Sequence, residues 1–137
     1  MPSQHRVGEY ELDQELARGG SGVVYLARRV GSSKLVALKL AREDVLDRAG
    51  VRALFREEAE AGGALDYPYI GRVIGSGVHE GLPFLVLPLM EGGTLEDPHN
   101  RSRFERPGAA LELISKIASA VEFAHSRGIL HCDLKAA

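Results

Sequence analysis

Residues 17–40 read Ala17-Arg18-Gly19-Gly20-Ser21-Gly22-Val23-Val24-Tyr25-Leu26-Ala27-Arg28-Arg29-Val30-Gly31-Ser32-Ser33-Lys34-Leu35-Val36-Ala37-Leu38-Lys39-Leu40. A glycine cluster precedes one apolar run, Val23 to Arg28, and the turn formers Gly31-Ser32-Ser33 lead into a second, Leu35 to Leu40. Short apolar runs punctuated this way read as strands joined by tight turns. Upstream, Tyr10, Leu12 and Leu16 keep the alternation of a half-buried strand, which Gln14 breaks. Downstream, Ile70–Ile74 and Phe84–Leu89 read as two more strands, joined through Gly75-Ser76-Gly77 and Glu80-Gly81. Five strands with short connections predict an antiparallel sheet.

Two helices accompany it. Val51, Leu54, Phe55, Glu58, Gly62 and Leu65 share a face at 3.6-residue spacing, so a carboxylate stands in the middle of an apolar stripe. Gly62-Gly63 lowers helix propensity and predicts fraying at that end. Ala110, Leu113, Ile114, Ile117, Ala118, Val121, Ala124 and His125 define a second stripe, over about 108–126. Pro107 at its start and Gly128 after its end suit a helix's boundaries, and His125 reads as a packed core histidine. The stretch Glu96 to Arg106 reads as a loop or a short helix, and the seam between two subdomains falls near Met90-Glu91-Gly92-Gly93.

Composition narrows the function classes. The chain has 137 residues, enough for one modest core but hardly for two. A net charge of −2 gives no footprint for nucleic acid or an anionic membrane surface, so neither is expected as a partner. The longest apolar run, Leu82 to Met90, is interrupted by Pro83 and Pro88 and is too short to cross a bilayer. The single cysteine, Cys132, excludes an internal disulfide and a cysteine-rich zinc site, and a cytoplasmic setting is expected.

Three constellations carry chemistry. The glycine cluster lets backbone N–H groups approach phosphates unobstructed, although an ordinary hairpin would also use such glycines. Lys39 inside an apolar strand either snorkels to water or is held by an anion. A buried ammonium and a buried carboxylate are each costly alone, so Lys39 and Glu58 resolve one another if the helix packs on the sheet. Glu57, one residue off, points away from the stripe. Third comes His131-Cys132-Asp133-Leu134-Lys135, after the long helix: an aspartate beside a lysine suits handling a hydroxyl proton near phosphate charge. A metal reading of this run lacks a fourth ligand, and Cys132 lacks the context of a protease nucleophile.

In this order the constellations resemble the protein kinase signature set, specifically that of eukaryotic-type (Hanks-type) serine/threonine kinases, over residues 10 to 135. Gly19, Gly22 and Val24 match the glycine-loop pattern, and Val36-Ala37-Leu38-Lys39 matches V-A-I-K. Glu58 falls where the αC glutamate stands. Pro83-Phe84-Leu85-Val86-Leu87 and then Glu91-Gly92-Gly93-Thr94-Leu95 resemble the fifth strand and hinge. The resemblance implies an α+β fold: a kinase-like N-lobe of five antiparallel strands plus helix αC, then the first helices of the helical C-lobe. Residues 1–9 would be a tail, 10–90 the N-lobe and hinge, and 91–137 the start of the C-lobe.

It also implies ATP as cosubstrate, protein Ser/Thr hydroxyls as acceptors, and Mg2+ in the complete family domain. The implied ATP-binding residues are Ala17, Gly19, Gly20, Ser21, Gly22, Val24, Ala37, Lys39 and Glu58, with Leu87 as gatekeeper and Pro88 to Met90 as the hinge. Asp133 stands in the place of the catalytic base, His131 matches the histidine of H-R-D, and Lys135 is the lysine of Ser/Thr-specific members.

Several positions depart from the pattern. Ala17 replaces the first loop glycine, Pro88 removes a hinge N–H, Cys132 replaces the arginine of H-R-D, and Ala136 replaces a common proline. With no such arginine, the parent enzyme is expected not to need a phosphorylated activation loop. The metal-binding asparagine and D-F-G would fall beyond Ala137, so no metal ligand is assigned, and the 137 residues alone are expected to be inactive. Alternative readings are a pseudokinase-like nucleotide-binding regulatory module and one half of a split kinase. Self-association through the apolar face of the 108–126 helix is expected.

Overall fold

The computed structural model of the chain describes residues 5–20, 22–46 and 50–129. They fall into two compact units, Met1–Ala64 with Gly71–Leu89, and Leu65–Ile70 with Met90–Ala137.

Among its described residues the first unit is an antiparallel sheet with one α-helix and a short 3-10 helix at Glu43–Val45. Its strands are β1 (Arg6–Val7), β2 (Tyr10–Arg18), β3 (Gly22–Arg29), β4 (Leu35–Ala41), β5 (Gly75–His79) and β6 (Leu82–Pro88), in spatial order β1-β2-β3-β4-β6-β5. Among the described residues there are six rather than five because Arg6 and Val7, inside the expected tail, pair with Glu11 and Tyr10. Val7 is buried with Ala27, Val36, Leu38, Phe84 and Val86 on one face of the sheet, and that burial holds the short strand. The broken alternation at Gln14 has a physical cause: β2 is bulged between Leu12 and Gln14 and again between Glu15 and Ala17.

Ile70–Ile74 is not a strand. The chain turns there, with the Ile70 amide donating to the Tyr67 carbonyl, and only Ile74 reaches β6, through the Val86 carbonyl. The strand lies instead over Gly75–His79, where the glycines suggested a turn. Gly77 pairs with Phe84, and a Cβ on Gly77 would stand 2.7 Å from that ring. The glycine makes room for an aromatic neighbour instead of bending the chain. Glu80 and Gly81, both at positive φ, close the β5–β6 hairpin.

Helix α1 (Val51–Ala64) covers the other face of the sheet. Val51, Phe55 and Ala59 pack with Ala41, Leu46, Leu85, Val73 and Leu82. The expected stripe shifts slightly, since Leu54 is 50% exposed and Leu65 follows the helix end. The expected fraying at Gly62-Gly63 is absent. Gly62 lies against Val73, whose side chain occupies the space a Cβ would need, and the Val73 amide donates to the Gly62 carbonyl. Tertiary contact overrides weak propensity at that point.

In the second unit, α2 (Pro98–Arg103) is the short helix allowed for between Glu96 and Arg106, and α3 (Pro107–Ser126) is the long one. Both begin on a proline in the first turn, where a missing N–H costs little. Asn100 is buried, and its Nδ2 donates to the carbonyls of Gly92 (2.7 Å) and Thr94 (2.8 Å). Asp97 accepts from the Thr94 amide at 2.8 Å, so α2 holds the Gly92–Thr94 turn from both ends.

The segment Leu65–Ile70 packs on α3. Tyr67 stacks on Phe123 at 4.7 Å and shares a hydrogen bond with Ser119. The covered side therefore includes Ala120 and Phe123, while Ile114, Ile117, Ala118 and His125 of the expected stripe are exposed. His125 is not a core histidine. The apolar surplus on α3 let periodicity find the helix, but which side is covered depends on a tyrosine some fifty residues away.

Candidate nucleotide site

Strand β4 alternates. Val36, Leu38 and Leu40 face the core with Phe84, Ala41 and Lys39 face α1, and alternation places Ala37 on the same side of the sheet as Lys39. Alternation alone therefore sends the Lys39 side chain toward the helix. There it meets Glu58: Lys39 Nζ stands 3.2 Å from both Oε1 and Oε2. The lysine side chain is 22% exposed and the glutamate 48%. Lys39 is thus mostly desolvated while Glu58 keeps one side in water, so the pair avoids the full penalty of burying two ions. Glu57 is exposed, as its position off the stripe implies.

Pairing register brings further expected residues to the same face. Val24 and Leu85 flank Lys39, and Leu26 and Leu87 flank Ala37. Val24, Ala37 and Leu87 thus form a small apolar floor beside the ammonium group. Pro88 pairs with Val36 and lies on the opposite face from Leu87. Met90 is exposed and belongs to the second compact unit.

Ala17 pairs with Val24 at the end of β2, where the glycine turn begins. The Gly19 amide donates to the Gly22 carbonyl at 2.9 Å, and Gly20 is exposed at the turn. Gly22 admits no side chain: a Cβ there would stand 2.8 Å from the Leu40 carbonyl oxygen and 3.3 Å from the Phe55 ring. Ser21 lies outside the described residues, as do His131, Cys132, Asp133 and Lys135.

Three contributors escaped sequence reasoning. Phe55 lies under both the glycine turn and the lysine, its ring centroid 5.4 Å from Lys39 Nζ. It was legible as a core residue, and its place three residues before Glu58 was the available signal. Leu85, opposite Lys39, joins the sheet to Phe55. Arg42 donates from Nη1 to the Gly19 carbonyl at 3.2 Å, and from Nε and Nη2 to Asp44 at 3.0 and 2.5 Å. Nothing in its sequence context distinguished it from any surface arginine.

The arrangement offers a cation, a glycine turn at Gly19, Gly20 and Gly22, and an apolar floor, which fits a nucleotide's phosphates and base. Among the described residues no group of three or more His, Cys, Asp or Glu side chains could hold a metal ion.

Residues 10–137 match the family described as protein kinase domain. The serine/threonine-protein kinase PknB of Mycolicibacterium smegmatis is 35% identical over 138 residues, spanning 98% of this chain and 22% of that protein. PknJ of Mycobacterium tuberculosis, another serine/threonine-protein kinase, is 33% identical over 128 residues, spanning 93% of this chain and 22% of PknJ. Among solved structures, the Mycobacterium tuberculosis PknI kinase domain superposes with a TM-score of 0.81 at 26% identity, covering all of this chain and 55% of that one. The chain belongs to the protein kinase domain family. Its sheet and α1 are the N-lobe of that fold, and α2 and α3 begin the helical lobe. It spans about a fifth of the length of the curated relatives it matches.

Proposed function

We propose that this chain carries the nucleotide-binding part of an ATP-dependent serine/threonine protein kinase. The observation that carries this reading is the Lys39–Glu58 pair, on the face that also bears Val24, Ala37 and Leu87. Glu58 fixes the Lys39 ammonium, and Lys39 orients and neutralises the α- and β-phosphates. The backbone of Gly19, Gly20, Ser21 and Gly22 cradles the phosphates, with Ala17 at its start. Ala37, Val24 and Leu87 contact the base, and Pro88 and Met90 lie along its hinge edge.

Asp133 accepts the proton of a protein Ser or Thr hydroxyl as its oxygen attacks the γ-phosphorus. The bond to the β-phosphate oxygen then breaks, and ADP and a phosphorylated protein are released. Lys135 stabilises the charge that develops on the transferred group. In the complete family domain magnesium, when bound, would offset the charge of the phosphates. The cytoplasm, which supplies ATP and keeps Cys132 reduced, is the setting this reading requires.

A polypeptide of these 137 residues is proposed to bind nucleotide without turning it over, because positioning and charge neutralisation by metal carry most of this reaction. The test is labelled-ATP turnover on a generic protein substrate with magnesium or manganese, beside an Asp133→Asn variant. Background turnover in both is expected. Turnover that the asparagine variant loses would show that the 137 residues are a complete catalyst.

A further inference from the structure

Arg42 holds the glycine turn through the carbonyl of Gly19. Strand β4 pairs Ala41 with Gly22, so the next residue emerges beside the base of the turn. Arg42 spends two of its donors, Nε and Nη2, on the Asp44 carboxylate, and aims the third, Nη1, at the Gly19 carbonyl. Gly19 is the residue whose amide closes the turn onto Gly22.

A turn built of glycines has unusual backbone freedom, and a ligand that needs one shape of it bears the cost of ordering it. A guanidinium already fixed by a bidentate carboxylate loses little further side-chain freedom in making the third bond. Asp44 also neutralises that guanidinium, which is therefore unsuited to attracting phosphate itself.

We propose that Arg42, fixed by Asp44, is a positioning residue that pre-shapes the Gly19–Gly22 turn for nucleotide, an inference that rests on the nucleotide-site reading above. It acts through the backbone of Gly19 and touches no phosphate.

The experiment combines amide hydrogen exchange at Gly19 with ATP affinity on the 137-residue chain, for Arg42→Ala, Arg42→Lys and Asp44→Asn. Arg42→Ala is expected to speed Gly19 exchange and weaken ATP binding, each by about tenfold, as for loss of a charge-assisted bond. The thermal midpoint should move by no more than about 2 °C, because the contacts are exposed. Arg42→Lys keeps the charge but not the fork, and should behave like the alanine variant. Asp44→Asn removes a negative charge near the phosphate site, so by charge alone it would tighten ATP; pre-shaping requires it to weaken ATP.

Unchanged Gly19 exchange in Arg42→Ala overturns the proposal. So does wild-type behaviour of Arg42→Lys, tighter binding by Asp44→Asn, or an affinity loss matched by a fall in thermal stability. Should the unaltered chain bind no ATP, the nucleotide-site reading fails, and Gly19 exchange alone decides whether Arg42 holds the turn.

Discussion

Lys39 and Glu58, nineteen positions apart, meet with both carboxylate oxygens 3.2 Å from the ammonium nitrogen. The strand supplies the cation on its helix-facing side, and the helix supplies the anion one turn beyond Phe55, which packs with Leu85 and Ala41 and holds its ring centroid 5.4 Å from Lys39 Nζ. A pair this exposed on one side contributes little to stability, roughly 1 kcal/mol or less. Its proposed role is to aim the lysine.

Glu58→Gln keeps the side chain's shape and removes its charge. The expected result is a thermal midpoint within about 2 °C of the original, with ATP binding weakened about tenfold as Lys39 loses its anchor. Calorimetric titration and thermal unfolding of the same samples check both halves.

Gly62 and Gly63 are adjacent in α1 and should respond to alanine with opposite signs. Gly62→Ala drives a methyl into Val73 and should destabilise the chain by about 1–3 kcal/mol. Gly63 has open space around its Cβ direction, so Gly63→Ala should stabilise by up to about 1 kcal/mol through helix propensity alone. Urea unfolding of the two variants measures the difference.

Asn100→Leu fills similar volume but leaves the Gly92 and Thr94 carbonyls without their donor. A loss of about 1–3 kcal/mol is expected for unsatisfied buried groups. Asn100→Asp should lose at least as much, since it presents oxygens where two donors are needed. Urea midpoints of both variants provide the check.

Helix α3 leaves Leu111 71% and Ile114 60% exposed, with Ile117 beside them. Contiguous apolar surface of this kind favours association. The 137-residue chain is expected to elute ahead of a monomer in size-exclusion chromatography, and Ile114→Glu with Leu111→Glu should shift it toward the monomer. A sharp monomer peak for the unaltered chain contradicts this.

Much of the fold was legible because two periodicities are strong. The alternation of β4 and the 3.6-residue stripe of α1 each placed an ionisable residue on an apolar face, and each oddity pointed to the other. What was not legible depended on partners distant in the chain. Gly75-Ser76-Gly77 read as a turn because glycine's usual signal is punctuation, whereas Gly77 is small for the sake of Phe84. Val7 joined the sheet because the core needed its side chain, and α3 turned another side inward because Tyr67 packs on Phe123. Arg42 carried no pattern, since a bond to a backbone carbonyl twenty-three residues away leaves no local trace.

In the proposed site Lys39, held by Glu58, contacts the phosphates of the nucleotide. The most direct measurement is the ratio of ATP to adenosine affinity in the unaltered chain and in Lys39→Met, a substitution of similar length without charge. The unaltered chain should prefer ATP, and Lys39→Met should reduce that preference by about tenfold or more while leaving adenosine binding nearly unchanged. An ATP-to-adenosine ratio that survives Lys39→Met would contradict the account.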